Sequence, residues 1–188
     1  MNQKTSSTTL SIIIILAVVI FAGVLISKNK PADYNNTVMN EQKSMKITSN
    51  VFENNGTIPV AYTCNGTEMQ PPLVVQDVPK DAKSLALIVF DPDAPNGGFI
   101  HWVVWGINPK ISVIENGNSA SATEGYTGLG KPGWVAPCPP TGIHHYNFSL
   151  YALDTALSIP LSSTRTDLLT AMQGHIIDQA VLIGLYGK

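Results

Sequence analysis

Residues 84–90 read SLALIVF, and residues 146–153 read YNFSLYAL. The first segment is a nearly continuous apolar run, which is typical of a buried strand. The second segment alternates, because every second residue from Tyr146 to Ala152 is apolar and most of those between are polar. The two segments therefore predict strands of a sheet that has a buried face.

Four further segments have the composition or the alternation of strands, and one helix is predicted late in the chain. Thr164 and Asp167 have the spacing of a helix start signal, an apolar face follows, and Gly174 is a helix stop. Thirteen prolines and fifteen glycines favour short strands and tight turns over a helix bundle. The predicted fold is all-β, an antiparallel β-sandwich with a short C-terminal helix. The four further strands are Met45–Ser49, Leu73–Gln76, Ile100–Ile107 and Val181–Tyr186.

The composition of the 188 residues excludes several classes of protein. Residues 45–188 carry seven basic and eleven acidic side chains, a net charge of −4, so they lack the basic surface that nucleic acids require. Two cysteines are too few for a disulfide-framework miniprotein or, alone, for a four-ligand zinc site. We therefore expect one main domain that does not bind nucleic acid.

Residues 10–26 read LSIIIILAVVIFAGVLI and contain no charge. As a helix this run is about 26 Å long, just short of the roughly 30 Å hydrocarbon core of a bilayer. It lacks the polar stripe of a helix packed on a soluble core, and no good small-residue site favours its cleavage. We predict a transmembrane helix that anchors the chain within residues 1–28, with a cleaved signal segment as the alternative. Residues 29–44 are polar and are predicted as a linker, which leaves residues 45–188 as the folded domain.

Three short motifs carry side chains suited to chemistry. Residues 91–95 read DPDAP directly after the apolar strand, His101 begins an apolar strand, and residues 137–146 read PCPPTGIHHY. Taken singly, the first motif has the plain explanation of a strand-ending turn and the second that of a structural histidine. Taken together, they predict a pocket with two carboxylates pointing the same way, two or three imidazoles and a tyrosine. Such a pocket can hold an anion through imidazole donors that the carboxylates orient.

These motifs resemble the phosphatidylethanolamine-binding protein family, in its prokaryotic Raf-kinase-inhibitor-like branch. Asp-Pro-Asp-x-Pro, His-Trp and Pro-Pro-x-Gly-x-His-x-Tyr are specific in combination, whereas any one of them alone is weak. The resembling stretches follow the family's order and cover nearly all of residues 45–188. They are IPVAYTCNGTEMQPPL (58–73), VPKDAKSLALIVFDPDAP (78–95), HWVVW (101–105), APCPPTGIHHYNFSLYALD (136–154) and LLTAMQGHIIDQAVLIGLYGK (168–188).

The resemblance implies a sandwich of two antiparallel sheets with a small pocket at one end. That pocket takes anions such as phosphate, acetate or a phospholipid head group, and the family acts by binding. No catalytic residue, metal ligand or cofactor is therefore expected. The residues that match the family's pocket are Asp91, Asp93, His101, His144 and Tyr146, with Pro139 and Pro140 as its wall. One departure stands within the third motif, where His145 replaces the arginine that family members usually have.

Cys64 and Cys138 lie in two of the resembling stretches, and we hypothesise that they form a disulfide. The alternative is two buried free thiols. A disulfide suits an oxidising compartment, so we predict an extracytoplasmic domain, held by the membrane anchor or secreted if the N-terminal segment is cleaved.

Three functions compete at this point. The first is a binding module for a phosphate-bearing or carboxylate ligand, such as a phospholipid head group, tethered to the membrane through residues 10–26. The second is an inhibitor of a protease or kinase, acting through the surface around the same pocket on a protein target. The third is a metal-assisted hydrolase, which the absence of an HExxH or comparable ligand motif disfavours. The first is the preferred prediction.

Overall fold

Nine strands form two sheets in the computed structural model, which describes residues 43–115 and 122–187. In chain order the strands are β1 Lys46–Ser49, β2 Gly56–Thr57, β3 Leu73–Gln76, β4 Ser84–Asp91, β5 Phe99–Ile107, β6 Val113–Ile114, β7 Thr123–Glu124, β8 Ile143–Leu153 and β9 Ile176–Gly187. The small sheet has the order β1-β3-β6, and the large sheet has the order β2-β9-β8-β4-β5-β7. Every strand predicted from the sequence is present, although β5, β8 and β9 start earlier, β1 starts one residue later, and β4 and β9 end later.

The predicted anchor at residues 10–26 and the linker up to residue 42 lie outside the described residues. Within the described ranges, no helix is long and apolar enough to cross a bilayer. The described residues belong to one compact unit, Gln42–Lys188.

The apolar run of β4 is explained by two cores, one on each face of the large sheet. Leu85, Leu87 and Val89 join residues of the small sheet in the main core. Ala86 and Ile88 face a second core that the C-terminal helix covers. Because both faces of β4 are buried, its sequence has no polar alternation. The large sheet is therefore the middle layer, an arrangement that the sequence analysis did not predict.

Strand β8 has the alternation that was predicted. Tyr146, Phe148, Leu150 and Ala152 are buried in the main core, while the residues between them as far as Tyr151 are half-buried. This pattern fixes the register of β8 against the large sheet, because a slip of one residue would move the aromatic side chains out of the core.

The predicted helix is present as α1, Arg165–Ala171. The Asp167 carboxylate accepts hydrogen bonds from the backbone N–H and the hydroxyl of Thr164, at 2.8 and 2.9 Å. These two bonds lower the pKa of Asp167. Leu168 and Met172 of the helical segment pack into the second core. Gly174, with a φ of 79°, then turns the chain into β9.

One pairing departs from the predicted antiparallel sandwich. Strand β2 runs parallel to β9, with Gly56 opposite Gly184 and Thr57 opposite Leu185. Backbone bonds from Asn55 N to Ile183 O and from Ile58 N to Leu185 O, both 2.7 Å, extend this contact. A two-residue strand has no periodicity in sequence, so nothing in the pattern of residues 56–57 announced it.

Candidate ligand-binding site

The predicted site residues converge because three strand ends meet at one end of the large sheet. Strands β5 and β8 both run antiparallel to β4, so Phe99 at the start of β5 pairs with Asp91, and Asn147 in the first half of β8 pairs with Phe90. His101 is the third residue of β5. His144 and Tyr146 are the second and fourth residues of β8 and share a face because they are two residues apart.

A cavity of about 220 Å³ lies among these side chains. Six of the seven predicted pocket residues line it, and Asp93 does not. Sequence reasoning missed six lining residues, although Pro95 and Cys138 stand in the quoted motifs and Phe99 precedes His101 by two positions in the same strand. The complete lining is Asp91, Ala94, Pro95, Phe99, His101, Val135, Ala136, Cys138, Pro139, Pro140, His144 and Tyr146.

The Asp91 carboxylate uses both of its oxygens within the protein. Oδ1 accepts backbone N–H bonds from Asp93 at 2.9 Å and from Ala94 at 3.2 Å. Oδ2 lies 2.7 Å from Nδ1 of His144, and the two side chains are only 4% and 9% exposed. An ionised carboxylate can only accept, so Nδ1 of His144 carries the hydrogen. Its Nε2 has no partner among the described residues and remains for a ligand.

His101 is held in a similar way by a backbone group. Its Nδ1 lies 2.7 Å from the carbonyl oxygen of Val135, which can only accept. The rings of Phe99 and Tyr146 meet the imidazole edge-on, with centroids at 4.9 and 5.1 Å. Burial lowers the pKa of His101, which therefore stays neutral at pH 7 with an unprotonated Nε2.

Tyr146 presents the one pocket hydroxyl, and no group in the described ranges bonds it. Its oxygen is buried without a hydrogen-bond partner. Burial, and then the field of Asp91, raise the pKa of the Tyr146 phenol, so it stays protonated. A buried polar atom without a partner is rare in folded proteins, and inside a cavity it indicates a place for a ligand atom.

Asp93 lies at the rim of the pocket rather than in its lining. Its Oδ2 accepts from the backbone N–H of His145 at 2.7 Å and lies 2.8 Å from Nδ1 of the same residue. The two side chains are 40% and 51% exposed, and the bonds from His145 lower the pKa of Asp93. The two carboxylates do not point the same way because the chain turns directly after Asp91, and the Asp93 N–H bonds back to Asp91. The extended geometry assumed from the sequence is therefore absent.

A third aspartate–histidine pair lies elsewhere. His175 Nδ1 is 2.8 Å from Asp154 Oδ1, both side chains are close to half exposed, and neither residue lines the cavity. This pair has the same chemistry and distance as the pocket pairs, so it is a matched control for experiments on them.

A disulfide between Cys64 and Cys138 closes the wall that also contains Pro139 and Pro140. Its S–S distance is 2.02 Å and its Cα atoms are 5.3 Å apart, and no cysteine of the described residues is free. This is the pairing that the sequence analysis hypothesised, and the alternative of two free thiols does not hold. A backbone bond from Cys64 N to Pro137 O, 3.1 Å long, reinforces the junction.

A second cavity of about 270 Å³ shares Val135, Ala136 and Cys138 with the first. Lys131 and Glu68 contribute the charged groups of its lining. The Trp134 side chain also lines it, and its Nε1 is buried with no partner among the described residues.

Within residues 43–115 and 122–187, no three His, Cys, Asp or Glu side chains are grouped in a way that could hold a metal ion.

Comparison with known proteins places the site in a family context. The family model described as "Phosphatidylethanolamine-binding protein" matches residues 48–187. A UPF0098 protein of Methanothermobacter thermautotrophicus is 43% identical over 150 residues, which are 77% of this chain and 99% of the relative. A UPF0098 protein of Chlamydia trachomatis is 44% identical over 149 residues, with the same two coverages of 77% and 99%. The names of these relatives assign no function.

Two solved structures have the same fold. CT736 from Chlamydia trachomatis, described as a phosphatidylethanolamine-binding protein homologue, superposes with a TM-score of 0.74 at 43% identity, over 77% of this chain and 98% of that one. Escherichia coli YbcL, described as a member of the mammalian family, superposes with a TM-score of 0.71 at 26% identity, over 78% of this chain and 99% of that one.

Proposed function

The chain belongs to the phosphatidylethanolamine-binding protein family, and from that premise we propose that it is a non-catalytic binding module for a small anion. The anionic group is a phosphate or a carboxylate, free or carried on a larger molecule such as a phospholipid head group. The observation that carries the proposal is the unpartnered Tyr146 hydroxyl in a cavity that also contains two imidazoles with free Nε2 atoms.

The dimensions and chemistry of the cavity support a small ligand. About 220 Å³ accommodates a phosphate group with a short substituent, and the adjoining cavity accommodates more. The lining combines several apolar side chains with a few polar atoms, as is usual for small-molecule sites. The single sulfur in the lining, that of Cys138, is bound in a disulfide and is not a nucleophile.

The test is isothermal titration of the full-length protein, kept in a non-ionic detergent because of the predicted anchor, with inorganic phosphate and phosphoethanolamine. We expect His144→Ala to weaken binding at least tenfold, because it removes a ring that faces the ligand. Asp154→Asn, which alters the matched pair outside the pocket, leaves the affinity unchanged. Failure of the parent protein to bind either ligand would overturn the proposal.

A second candidate function is inhibition of a protease or a kinase through the rim of the pocket. Ile143, the residue before His144, is 68% exposed, and Leu129 in the lining of the second cavity is 56% exposed. Large exposed apolar side chains beside a pocket suit a protein contact. Assays against proteases and kinases of known activity, with Ile143→Asp as the rim variant, test it. The absence of inhibition by the parent protein would reject it.

We also propose that the domain is extracytoplasmic and is held to the membrane by residues 10–26. The Cys64–Cys138 disulfide supports an oxidising compartment. N-terminal sequencing of the protein from its native membrane tests retention of the anchor. A new N-terminus after residue 26 would contradict the anchored form and indicate that the domain is released by cleavage.

A further inference from the structure

The hydrogens of both pocket histidines are fixed on the nitrogens that face away from a ligand. His144 donates from Nδ1 to the Asp91 carboxylate, and His101 donates from Nδ1 to the Val135 carbonyl. Both partners can only accept, so each neutral ring offers an unprotonated Nε2 to the cavity. The two rings therefore act as acceptors, not donors, when they are neutral.

The lining contains little that attracts a bare anion. No lysine or arginine stands among the described residues that line the cavity, and Asp91 contributes a negative charge. Tyr146 supplies one hydroxyl donor. An anion without a hydrogen of its own would meet two lone pairs and a carboxylate. The titratable groups that act on the His101 ring are Asp91 from β4 and His144 from β8, and those that act on the Tyr146 phenol are Asp91, Asp93 and Tyr186 from β9.

We infer that the pocket selects an oxyacid that carries an acidic O–H, such as a phosphate monoester, over a phosphodiester. The inference rests on the proposed anion pocket and narrows its ligands from anions in general to those that carry an acidic O–H. In the bound state the phosphate O–H donates to Nε2 of His101, and a charged phosphate oxygen accepts from the Tyr146 hydroxyl. The proton in this hydrogen bond comes with the ligand or is taken from solvent onto a phosphate oxygen, and no bond between heavy atoms forms or breaks.

The two histidines have different neighbours. The Asp91 carboxylate holds the hydrogen of His144 on Nδ1, so Nε2 of this ring also faces the cavity as an acceptor. His101 touches no carboxylate. Its burial disfavours a charged ring and lowers its pKa. His101 therefore remains an acceptor that only a ligand donor satisfies. A diester cannot donate, and a buried acceptor without a donor carries a penalty that discriminates strongly between ligands.

Methyl phosphate and dimethyl phosphate form a matched pair of probes. A phosphate monoester has a second pKa of about 6, so at pH 5.5 most of the methyl phosphate is a monoanion with one O–H. Dimethyl phosphate is also a monoanion and differs by a methyl group in place of that hydrogen. We expect the full-length protein in detergent to bind methyl phosphate at least tenfold more tightly than dimethyl phosphate at pH 5.5. Equal or tighter binding of dimethyl phosphate would overturn the inference and leave the proposed function standing.

Proton uptake gives a second readout. Titration of methyl phosphate at pH 8 in two buffers of different ionisation enthalpy measures the number of protons bound per ligand, and we expect at least one. In Asp91→Asn the amide oxygen can keep the backbone N–H bonds, and the amide NH₂ faces Nδ1 of His144. The hydrogen of that ring then moves to Nε2, where it can donate to the phosphate dianion, and the proton uptake falls below the parent value. Asp154→Asn, with the same change at the control pair, keeps the parent value.

The outcomes are distinguishable. Tight methyl phosphate binding at pH 8 without proton uptake would overturn the inference while the anion pocket stands. No binding of either phosphate by the parent protein at either pH would overturn the inference and the proposed function together. Thermal unfolding of each variant shows whether a lost signal reflects a lost fold.

Discussion

The interior and the rim of the pocket each contain an aspartate–histidine pair, and the two pairs differ in their environment. Asp91–His144 and Asp93–His145 have nearly equal distances of 2.7 and 2.8 Å. The first pair is almost fully buried, whereas the second is about half exposed. The histidines are neighbours on β8, and strand alternation sends one inward and the other outward. We therefore expect burial, and not the contact distance, to decide which pair contributes more to stability.

The largest effect is expected from breaking the buried pair with Asp91→Ala. The variant leaves the backbone N–H groups of Asp93 and Ala94, and Nδ1 of His144, without their acceptor. We expect a loss of about 3 kcal/mol in the free energy of unfolding and no measurable phosphate binding. Urea denaturation and titration calorimetry measure the two effects. A loss below about 1 kcal/mol would show that burial does not distinguish the pairs.

Tyr146→Phe tests the interior without breaking a bond of the folded protein. The hydroxyl has no partner among the described residues, so its removal leaves the free energy of unfolding unchanged or slightly higher. Phosphate affinity falls about tenfold, because one donor to the ligand is lost. A large loss of stability in urea would instead show that the hydroxyl is bonded within the unliganded protein.

His145→Arg gives the rim the fixed cation that family members usually have. The arginine faces Asp93 at the pocket edge, where solvent screens it, so the expected gain in phosphate affinity is only about threefold. The gain disappears in 0.5 M salt, whereas binding through the interior pair changes less. An increase that persists at high salt would contradict the assignment of His145 to a solvated rim.

Asp93→Asn is expected to have the smallest effect, under about 1 kcal/mol of unfolding free energy, because the pair is solvated. The pKa of Asp93 is lowered in the folded protein, so its contribution is present above the ordinary aspartate pKa. That contribution is lost as the pH falls below about 4. Urea curves of parent and variant from pH 7 to pH 3 therefore converge only at the acidic end. Convergence already near neutral pH would contradict the assignment of this contribution to the Asp93 carboxylate.

The strands could be predicted from the sequence, but some of the elements that pack against them could not. The alternation of β8 placed Tyr146 inside correctly. The run in β4 predicted a buried strand, yet not that its second face is covered by α1, because hydrophobicity alone does not name the covering element. His144 was identified by its motif, whereas Val135 and Ala136 belong to an irregular segment with no period. Asp93 was misplaced because a side-chain bond to Asp91 turns the chain.

The disulfide also gives the pocket a particular topology. It closes a ring over a sequence separation of 74 residues that contains Asp91 and His101, while His144 and Tyr146 follow the ring in the chain. A single peptide bond cut between His101 and Cys138 would therefore leave both halves of the binding site in one covalent molecule. The same cut after reduction would release two fragments, each with half of the site. One sulfur–sulfur bond thus keeps a molecule nicked in this segment in one piece.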